Sequence, residues 1–312
     1  MPSVLNKKNL GFVAILLFLL LGALALNSNF ESTASGKVVW TIINVSHGDR
    51  TGDAHLIEVP GGETWLIDTG FADLAEFMLL PYLQEKDIQH LDKLIVSHPH
   101  RNHYGGIHVL LNAGITIDDL YFDAPHPTPC ANEDWAMGCD LEHVLNMQEY
   151  AAQSGVEIKS LAPNLVLSAN QHENFSFQVL YRFDGNDTPV GITSINDTSA
   201  VMRMDVGEVS VLFPGDIGNQ IGEYLSRKGE NLDTDLLSIP HHGVSVSAPN
   251  SFFDRVSPEI GFVSGLNSLW ESDRAARIKN YFDVKQIPVY VSDKYRAIRV
   301  EINDDDYEVY TE

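Results

Sequence analysis

Three of the twelve histidines in this 312-residue chain lie within six positions, at His98, His100 and His103. They directly follow an apolar run, residues 94–96, that is typical of a buried strand. Imidazole is a common ligand of zinc and similar metals, and a strand end followed by a glycine-rich turn can direct several imidazoles at one point. The spacing therefore predicts a metal-binding cluster at a strand end. The alternative is three unrelated histidines on a surface loop.

Other polar residues with metal-binding chemistry also follow apolar, strand-like runs. They are Asp68, Asp216 and the pair His241 and His242. In layered α/β proteins strand ends meet along one edge, and ligands usually bind at that edge. We therefore expect these separate motifs to converge on one site with the histidine cluster. Helix-like segments alternate with the strands, in two broadly similar halves.

These motifs resemble those of the metallo-β-lactamase superfamily and, within it, the hydrolase domain of ComEC-type DNA-uptake proteins. The superfamily signature His-x-His-x-Asp-His is similar to residues 98–103, which read His-Pro-His-Arg-Asn-His. The resemblance runs from about residue 38 to residue 302, with the motifs in family order. Its other segments are Gly-Asp-Ala at 52–54, Asp-Thr-Gly at 68–70, Asn-Asp-Thr-Ser at 196–199, Pro-Gly-Asp at 214–216, Pro-His-His-Gly at 240–243 and a closing strand pair at 291–298.

The resemblance implies a four-layer αββα sandwich, an α/β fold with a metal site at one edge. The implied cofactor is zinc, as one or two ions, with manganese as the alternative. A bound metal would lower the pKa of a coordinated water and so provide a hydroxide nucleophile near neutral pH. The implied ligands are His98, His100 and Asp216 for a first metal, and His103 with one of His241 and His242 for a second.

The sequence departs from the family pattern at two places that bear on catalysis. Asn102 stands where most members have an aspartate, and a neutral amide compensates a divalent ion less well than a carboxylate. The third histidine motif is absent, and Asp197 and Ser199 are candidates to replace it through an oxygen ligand or a hydrogen bond to substrate. A tight turn between strands is the alternative for that pair.

Two further aspartates are expected to support the ligands. Asp68, and similarly Asp53, would orient a ligand histidine through its other ring nitrogen. The alternative for Asp68 is a helix cap.

The amino-terminus indicates export. Lys7 and Lys8 precede an uncharged apolar run at residues 11–26, and a small-x-small site lies at 23–25. Residues 1–26 are therefore expected to be a signal peptide or, if uncleaved, a membrane anchor, with the body in the periplasm or outside the cell. Residues 27–36 are expected to be a linker, and residues 37–312 a hydrolase domain.

The two cysteines, Cys130 and Cys139, lie in one Pro- and Gly-containing stretch at residues 124–140. That stretch is too long for an ordinary connector, and we expect it to cover a functional rim. In an exported protein a local disulfide is expected, and two free thiols are the alternative.

The charge of the chain restricts its partners. Without residues 1–25, 18 basic and 43 acidic residues remain, a net charge of −25. Such a surface repels polyanions and disfavours binding to long nucleic acids. The expected function is therefore an exported metal-dependent hydrolase of a small-molecule or terminal phosphodiester substrate. The alternatives are a lactam, lactone or thioester hydrolase, and a catalytically impaired binding module, which Asn102 would suit. Membrane contact is expected only through residues 11–26.

Overall fold

A computed structural model describes residues 36–133, 138–169, 172–183, 189–191, 194–229 and 231–312. The predicted signal peptide or anchor at residues 1–26 lies outside these ranges, as does the predicted linker except for its last residue. Within the described ranges, no helix has the length and apolar character needed to cross a bilayer.

Two β-sheets form the centre of the fold. One sheet has eight strands in the order β15-β14-β1-β2-β3-β4-β5-β6, and the other has seven in the order β13-β12-β11-β10-β9-β8-β7. The strands are β1 (Val38–Ile43), β2 (His55–Val59), β3 (Glu63–Ile67), β4 (His90–Ile95), β5 (Thr116–Tyr121), β6 (Glu157–Lys159), β7 (Val166–Leu167), β8 (Phe175–Tyr181), β9 (Val201–Val206), β10 (Val209–Phe213), β11 (Leu236–Ser238), β12 (Ile260–Val263), β13 (Val289–Val291), β14 (Ala297–Ile302) and β15 (Tyr307–Thr311).

The sheets face each other across an apolar layer of β-branched and aromatic side chains. Trp40 of β1 lies fully buried in this layer, with its ring centroid 5.2 Å from that of Phe213 and 4.9 Å from that of Phe262, both edge-on. Edge-to-face pairs of this kind contribute about 0.5–1.5 kcal/mol beyond burial. Because Phe213 and Phe262 belong to the second sheet, these contacts fix the two sheets against each other.

Helices cover the outer face of each sheet, and each covering layer has its own apolar cluster. The helices are α1 (Ala72–Leu74), α2 (Leu80–Glu85), α3 (Arg101–Tyr104), α4 (Ile107–Asn112), α5 (Pro127–Ala131), α6 (Leu141–Gln153), α7 (Asn219–Lys228), α8 (Asn250–Val256), α9 (Asn267–Trp270) and α10 (Ala276–Lys285), with a π-helix at Ala75–Leu79 and 3-10 turns at Ile195–Thr198, Pro240–Gly243 and Ser292–Lys294. The order helix, sheet, sheet, helix confirms the four-layer αββα sandwich.

Parallel pairing brings the predicted motifs to one edge. Strands β3 to β6 are parallel in the first sheet, and β10 to β13 are parallel in the second. Asp68 follows β3, the histidine cluster follows β4, Asp216 follows β10 and the histidine pair follows β11. The carboxyl ends of parallel strands open on the same side, so all four motifs lie along the same rim of the sandwich.

Candidate metal centre

One carboxylate oxygen lies at the centre of the rim. Asp216 Oδ2 is 3.4 Å from His103 Nε2, 3.5 Å from His242 Nε2, 3.9 Å from His98 Nε2 and 3.9 Å from His241 Nε2. Asp216 and three of these histidines are buried, and His241 is partly exposed. Three chain segments, each following a different strand, therefore meet around one buried carboxylate.

His98 and His100 direct unprotonated nitrogens at each other. Ser97 Oγ donates its single hydrogen to Asp68 Oδ2 at 2.7 Å, so it accepts the Nδ1 hydrogen of His98 at 3.1 Å. The Nε2 hydrogen of His100 goes to Glu133 Oε2 at 2.7 Å. The remaining nitrogens, His98 Nε2 and His100 Nδ1, are 3.1 Å apart. In these tautomers the two imidazoles present two lone pairs to each other, an arrangement that a cation between them would stabilise.

The outward nitrogens of His103 and His242 are also hydrogen-bonded. His103 Nδ1 donates to Asp68 Oδ2 at 2.8 Å, and His242 Nδ1 donates to the carbonyl of Ser264 at 2.8 Å. Their Nε2 atoms both face Asp216. Among the described side chains, His103 Nε2 and Asp216 Oδ1 are buried atoms without a hydrogen-bond partner. Inward-facing imidazole nitrogens, a shared carboxylate and these orphaned atoms fit a zinc-like divalent cation.

The pKa values of the cluster show strong coupling between its charges. Burial lowers the pKa of His98 well below its usual value, and the neighbouring His103 lowers it further. Burial also opposes the charge of His103, but Asp216 and Asp68 outweigh it and hold the pKa of His103 well above the usual range. Burial would raise the pKa of Asp216, but the surrounding histidines, His242 first, hold it well below normal. Asp216 therefore remains an ionised carboxylate that attracts cations.

Asp53 and Asp68 lie on the outer side of the histidines. Asp68 binds His103 as described above and also accepts the amide hydrogen of Ser97 at 2.7 Å. It does not cap a helix, because α1 begins after Phe71. Asp53 lies 3.7 Å from His103 Nδ1 and 3.5 Å from His242 Nδ1. It also belongs to a group of four residues, with His103, His242 and Asp216, whose possible ligand atoms all lie within 4.8 Å of one another.

The two histidines of the predicted pair have different environments. His242 is 5% exposed, and its Nε2 accepts from Asn102 Nδ2 at 3.0 Å in addition to facing Asp216. The His241 side chain is 23% exposed, and its Nε2 lies 3.4 Å from Asn196 Nδ2. These distances favour His242 as the ligand and leave His241 at the solvent side of the centre.

Asp197 and Ser199 brace the turn that carries Asp216. Asp197 Oδ1 accepts from the amide of Gly218 at 2.7 Å, and Ser199 Oγ accepts from the amide of Asp216 at 3.0 Å. These contacts support the structural alternative for the pair. The adjacent Asn196 has a buried Oδ1 with no hydrogen-bond partner among the described residues. Of the residues in this segment, Asn196 is the one that lies beside His241 at the metal centre.

Sequence reasoning did not identify Glu133, which contacts the predicted ligand His100. Glu133 lies in the stretch at residues 124–140, between the two cysteines, and these form the expected disulfide. The only signal for Glu133 in the sequence was its position between the two cysteines, and that position did not indicate His100 as its partner.

Comparisons with known proteins agree with this architecture. The family model described as the metallo-beta-lactamase superfamily matches residues 47–118. Competence protein ComA of Neisseria gonorrhoeae is 27% identical over 221 residues, which is 69% of this chain and 24% of ComA. Recombination protein 2 of Haemophilus influenzae is 27% identical over 238 residues, covering 73% of this chain and 24% of that protein. ComE operon protein 3 of Bacillus subtilis is 26% identical, over 61% of this chain and 22% of its own length. The chain thus spans about a quarter of the length of these curated relatives.

Solved structures share the fold at low sequence identity. CmlA, a diiron beta-hydroxylase from Streptomyces venezuelae, matches with a TM-score of 0.50 and 12% identity over 86% of this chain and 54% of that chain. The metallo-beta-lactamase fold protein YhfI from Bacillus subtilis matches with a TM-score of 0.48 and 17% identity over 82% of this chain and 96% of that chain. The matched family model and the ComEC-like relatives support a metallo-β-lactamase superfamily, ComEC-like domain in this chain, and the fold agrees with a metal-dependent hydrolase.

Proposed function

We propose that this chain is an exported hydrolase of small phosphodiesters that depends on a divalent cation. The observation that carries the proposal is the orientation of four imidazoles whose outward nitrogens are hydrogen-bonded, those of His98, His100, His103 and His242. The inward nitrogens of His98, His103 and His242 face Asp216, and that of His100 faces His98. His98, His100 and Asp216 would hold one cation. His103 and His242 would hold a second, with Asp216 shared between them. Zinc suits these nitrogen and oxygen donors, and manganese is the alternative.

When bound, such cations supply Lewis-acid polarisation of a phosphoryl oxygen and a water of lowered pKa. The chain itself supplies orientation. Asp68 and Ser97 keep His98 and His103 in the tautomers that face the centre. At the solvent side, the side chains of His241 and Asn196 are available to bind a substrate oxygen, and of the two only the imidazole of His241 can pass a proton to the leaving group.

The charge and the relatives favour a small phosphodiester over other substrates. A body with a net charge of −25 repels long polyanions, whereas a small or terminal phosphodiester carries a single charge to neutralise. The resemblance of the motif set to ComEC-type hydrolase domains is the second support for a phosphodiester substrate. The absence of the third histidine motif disfavours a lactam substrate. The fold alone does not choose the bond, because one fold hosts many reactions.

A panel of substrates tests the proposal. We expect the protein purified with zinc or manganese to hydrolyse bis(p-nitrophenyl) phosphate, and His100→Ala to lose at least about a hundredfold in rate, because it removes one of the expected ligands. His90→Ala is the matched control, since His90 is exposed at the opposite end of the same strand. Turnover of a cephalosporin, a lactone or a thioester in place of the phosphodiester would overturn the substrate class. A protein that binds neither zinc nor manganese would overturn the catalytic proposal altogether.

Export is a separate part of the proposal. It is supported by Lys7 and Lys8 ahead of the apolar run at residues 11–26, and by the disulfide, because disulfides persist in oxidising compartments. Fractionation of cells that produce the full chain should place it outside the cytoplasm. Sequencing of its amino-terminus then distinguishes a cleaved signal peptide from an anchor. Recovery of the whole chain in the cytoplasm would contradict export.

A further inference from the structure

Glu133 closes one side of the metal centre. Its Oε2 accepts from His100 Nε2 at 2.7 Å and from the amide of Cys139 at 3.3 Å, and its Oε1 accepts from the amide of Ile195 at 2.8 Å. The Glu133 side chain is 9% exposed. Both carboxylate oxygens are therefore engaged by donors of this chain. This arrangement suits a residue that holds other groups in place rather than one that binds a cation directly.

The bond to His100 sets which of its ring nitrogens faces the centre. A carboxylate accepts the Nε2 hydrogen, so Nδ1 keeps its lone pair, and that atom is the one that faces His98 Nε2 at 3.1 Å. Without Glu133 this bond would no longer select the tautomer of the ring. Partners of this kind on the outer nitrogen of a ligand histidine typically contribute roughly 10- to 100-fold to metal affinity.

The bond to Ile195 connects Glu133 to the opposite rim. Ile195 begins the 3-10 turn whose next residue, Asn196, lies beside His241. One carboxylate thus joins a strand-end histidine of the first sheet to a turn that precedes β9 of the second sheet. The position of Asn196 at the solvent side of the centre depends on the same bond.

The disulfide holds Glu133 in this position. Cys130 and Cys139 enclose it in a short loop, the amide of Glu133 donates to the carbonyl of Cys130 at 3.2 Å, and its carboxylate accepts from the amide of Cys139. We propose that Glu133 is a positioning residue for His100 and that the Cys130–Cys139 disulfide holds it there, so that metal affinity depends on the disulfide. This inference rests on the metal binding put forward under the proposed function.

Zinc affinity of the metal-free protein, measured by competition with a chromogenic chelator, tests the role of Glu133. We expect Glu133→Ala to bind zinc roughly 10- to 100-fold more weakly than the wild type. Glu133→Gln should fall between the two, because its amide oxygen still accepts the His100 hydrogen without the charge. Glu142→Ala is the control, since Glu142 is an exposed acid in the first turn of α6, three residues beyond Cys139.

A second readout separates positioning from general stability. In the wild type, ¹⁵N-detected NMR of the histidines should show His100 of the metal-free protein with its hydrogen on Nε2, and Glu133→Ala should show a mixture of tautomers. Wild-type affinity in a folded Glu133→Ala variant would overturn the inference. Failure of the wild type itself to bind either zinc or manganese would instead overturn the proposed function.

The disulfide is tested by a double-mutant cycle. The Cys130→Ser, Cys139→Ser double variant should weaken zinc binding in the same direction as Glu133→Ala. Adding Glu133→Ala to it should cost little more, because both changes remove the same contact. Zinc affinity equal to wild type in the folded disulfide-free variant, or fully additive losses, would show that the disulfide does not act through Glu133.

Discussion

His98, His100, His103 and His242 each have their outward hydrogen bound to an acceptor that cannot act as a donor in that bond. The acceptors are two carboxylates, a hydroxyl already committed to Asp68 and a backbone carbonyl. The inward nitrogens of His98 and His100 are therefore lone pairs only 3.1 Å apart. A cation between these nitrogens would relieve the repulsion of their lone pairs, and the outward hydrogen bonds orient the ligand set before any ion binds.

Asn102 offers a prediction at the level of a single residue. Its Nδ2 donates to His242 Nε2 at 3.0 Å, so the amide occupies the lone pair that would bind a second cation. Asn102→Asp removes that donor and adds a negative charge at nearly the same volume. We expect the metal content after dialysis, measured by plasma mass spectrometry, to rise from about one ion per chain toward two.

The control for that change is Asn112→Asp, at the exposed end of α4. It adds the same charge away from the centre and should leave the metal content unchanged. Equal metal content in Asn102→Asp and the wild type would show that Asn102 does not limit the second ion.

The turn after β11 has a strained backbone next to the metal centre. His241 and His242 both have left-handed backbones, with φ of 54° at each, in the 3-10 turn Pro240–Gly243. A non-glycine residue in this region is strained, and such residues often occur at functional sites. With this backbone, the His242 side chain faces inward to Asp216 and the His241 side chain lies at the solvent side.

Comparing two substitutions at His241 isolates this strain. Both His241→Gly and His241→Ala remove the imidazole, but only glycine relieves the left-handed backbone. We expect the glycine variant to be more stable than the alanine variant by about 1 kcal/mol, measured by urea unfolding of the metal-free protein. At Asn146, an exposed helical position in α6, the same comparison should have the opposite sign by about 1 kcal/mol. Equal stabilities at position 241 would argue against a strained turn.

The proposed ion would stabilise the sandwich as a whole. Asp53, Asp68 and Asp216 are buried with their histidines at the rim, and burial opposes the charged form of each aspartate. A divalent cation neutralises this concentration of charge. Because the ligands come from both sheets, the ion also joins the two halves of the molecule.

Thermal unfolding with and without zinc tests this whole-molecule effect. At a free zinc concentration of 100 times Kd the folded state gains about 2.7 kcal/mol. For a domain of this size, that corresponds to a rise in Tm of roughly 5–10 °C. The combined variant His98→Ala, His100→Ala should show a much smaller rise, since it lacks the facing pair of nitrogens. A rise of the same size in that variant would mean that zinc stabilises the protein elsewhere.

Local sequence by itself determined the motifs and the fold class. Apolar runs that end in histidine or aspartate specified which strands carry polar ends, and the common edge of layered sheets predicted their convergence. The resemblance of these motifs to the metallo-β-lactamase superfamily implied the four-layer sandwich. His98, His100 and His103 all follow the end of one strand, so their clustering could be predicted without knowledge of distant segments. The close spacing of the two cysteines likewise sufficed to predict the disulfide that the structure contains.

Only the tertiary structure decided which residues support the ligands. Glu133 and His100 are 33 residues apart, and Asn102 and His242 are 140 apart. Contacts over such separations depend on how the two sheets pack and on where loops return, which no local pattern encodes. Asp197 and Ser199 are a second example. Their motif indicated a place near the site. The fold decided that their side chains point toward the backbone of the turn that carries Asp216.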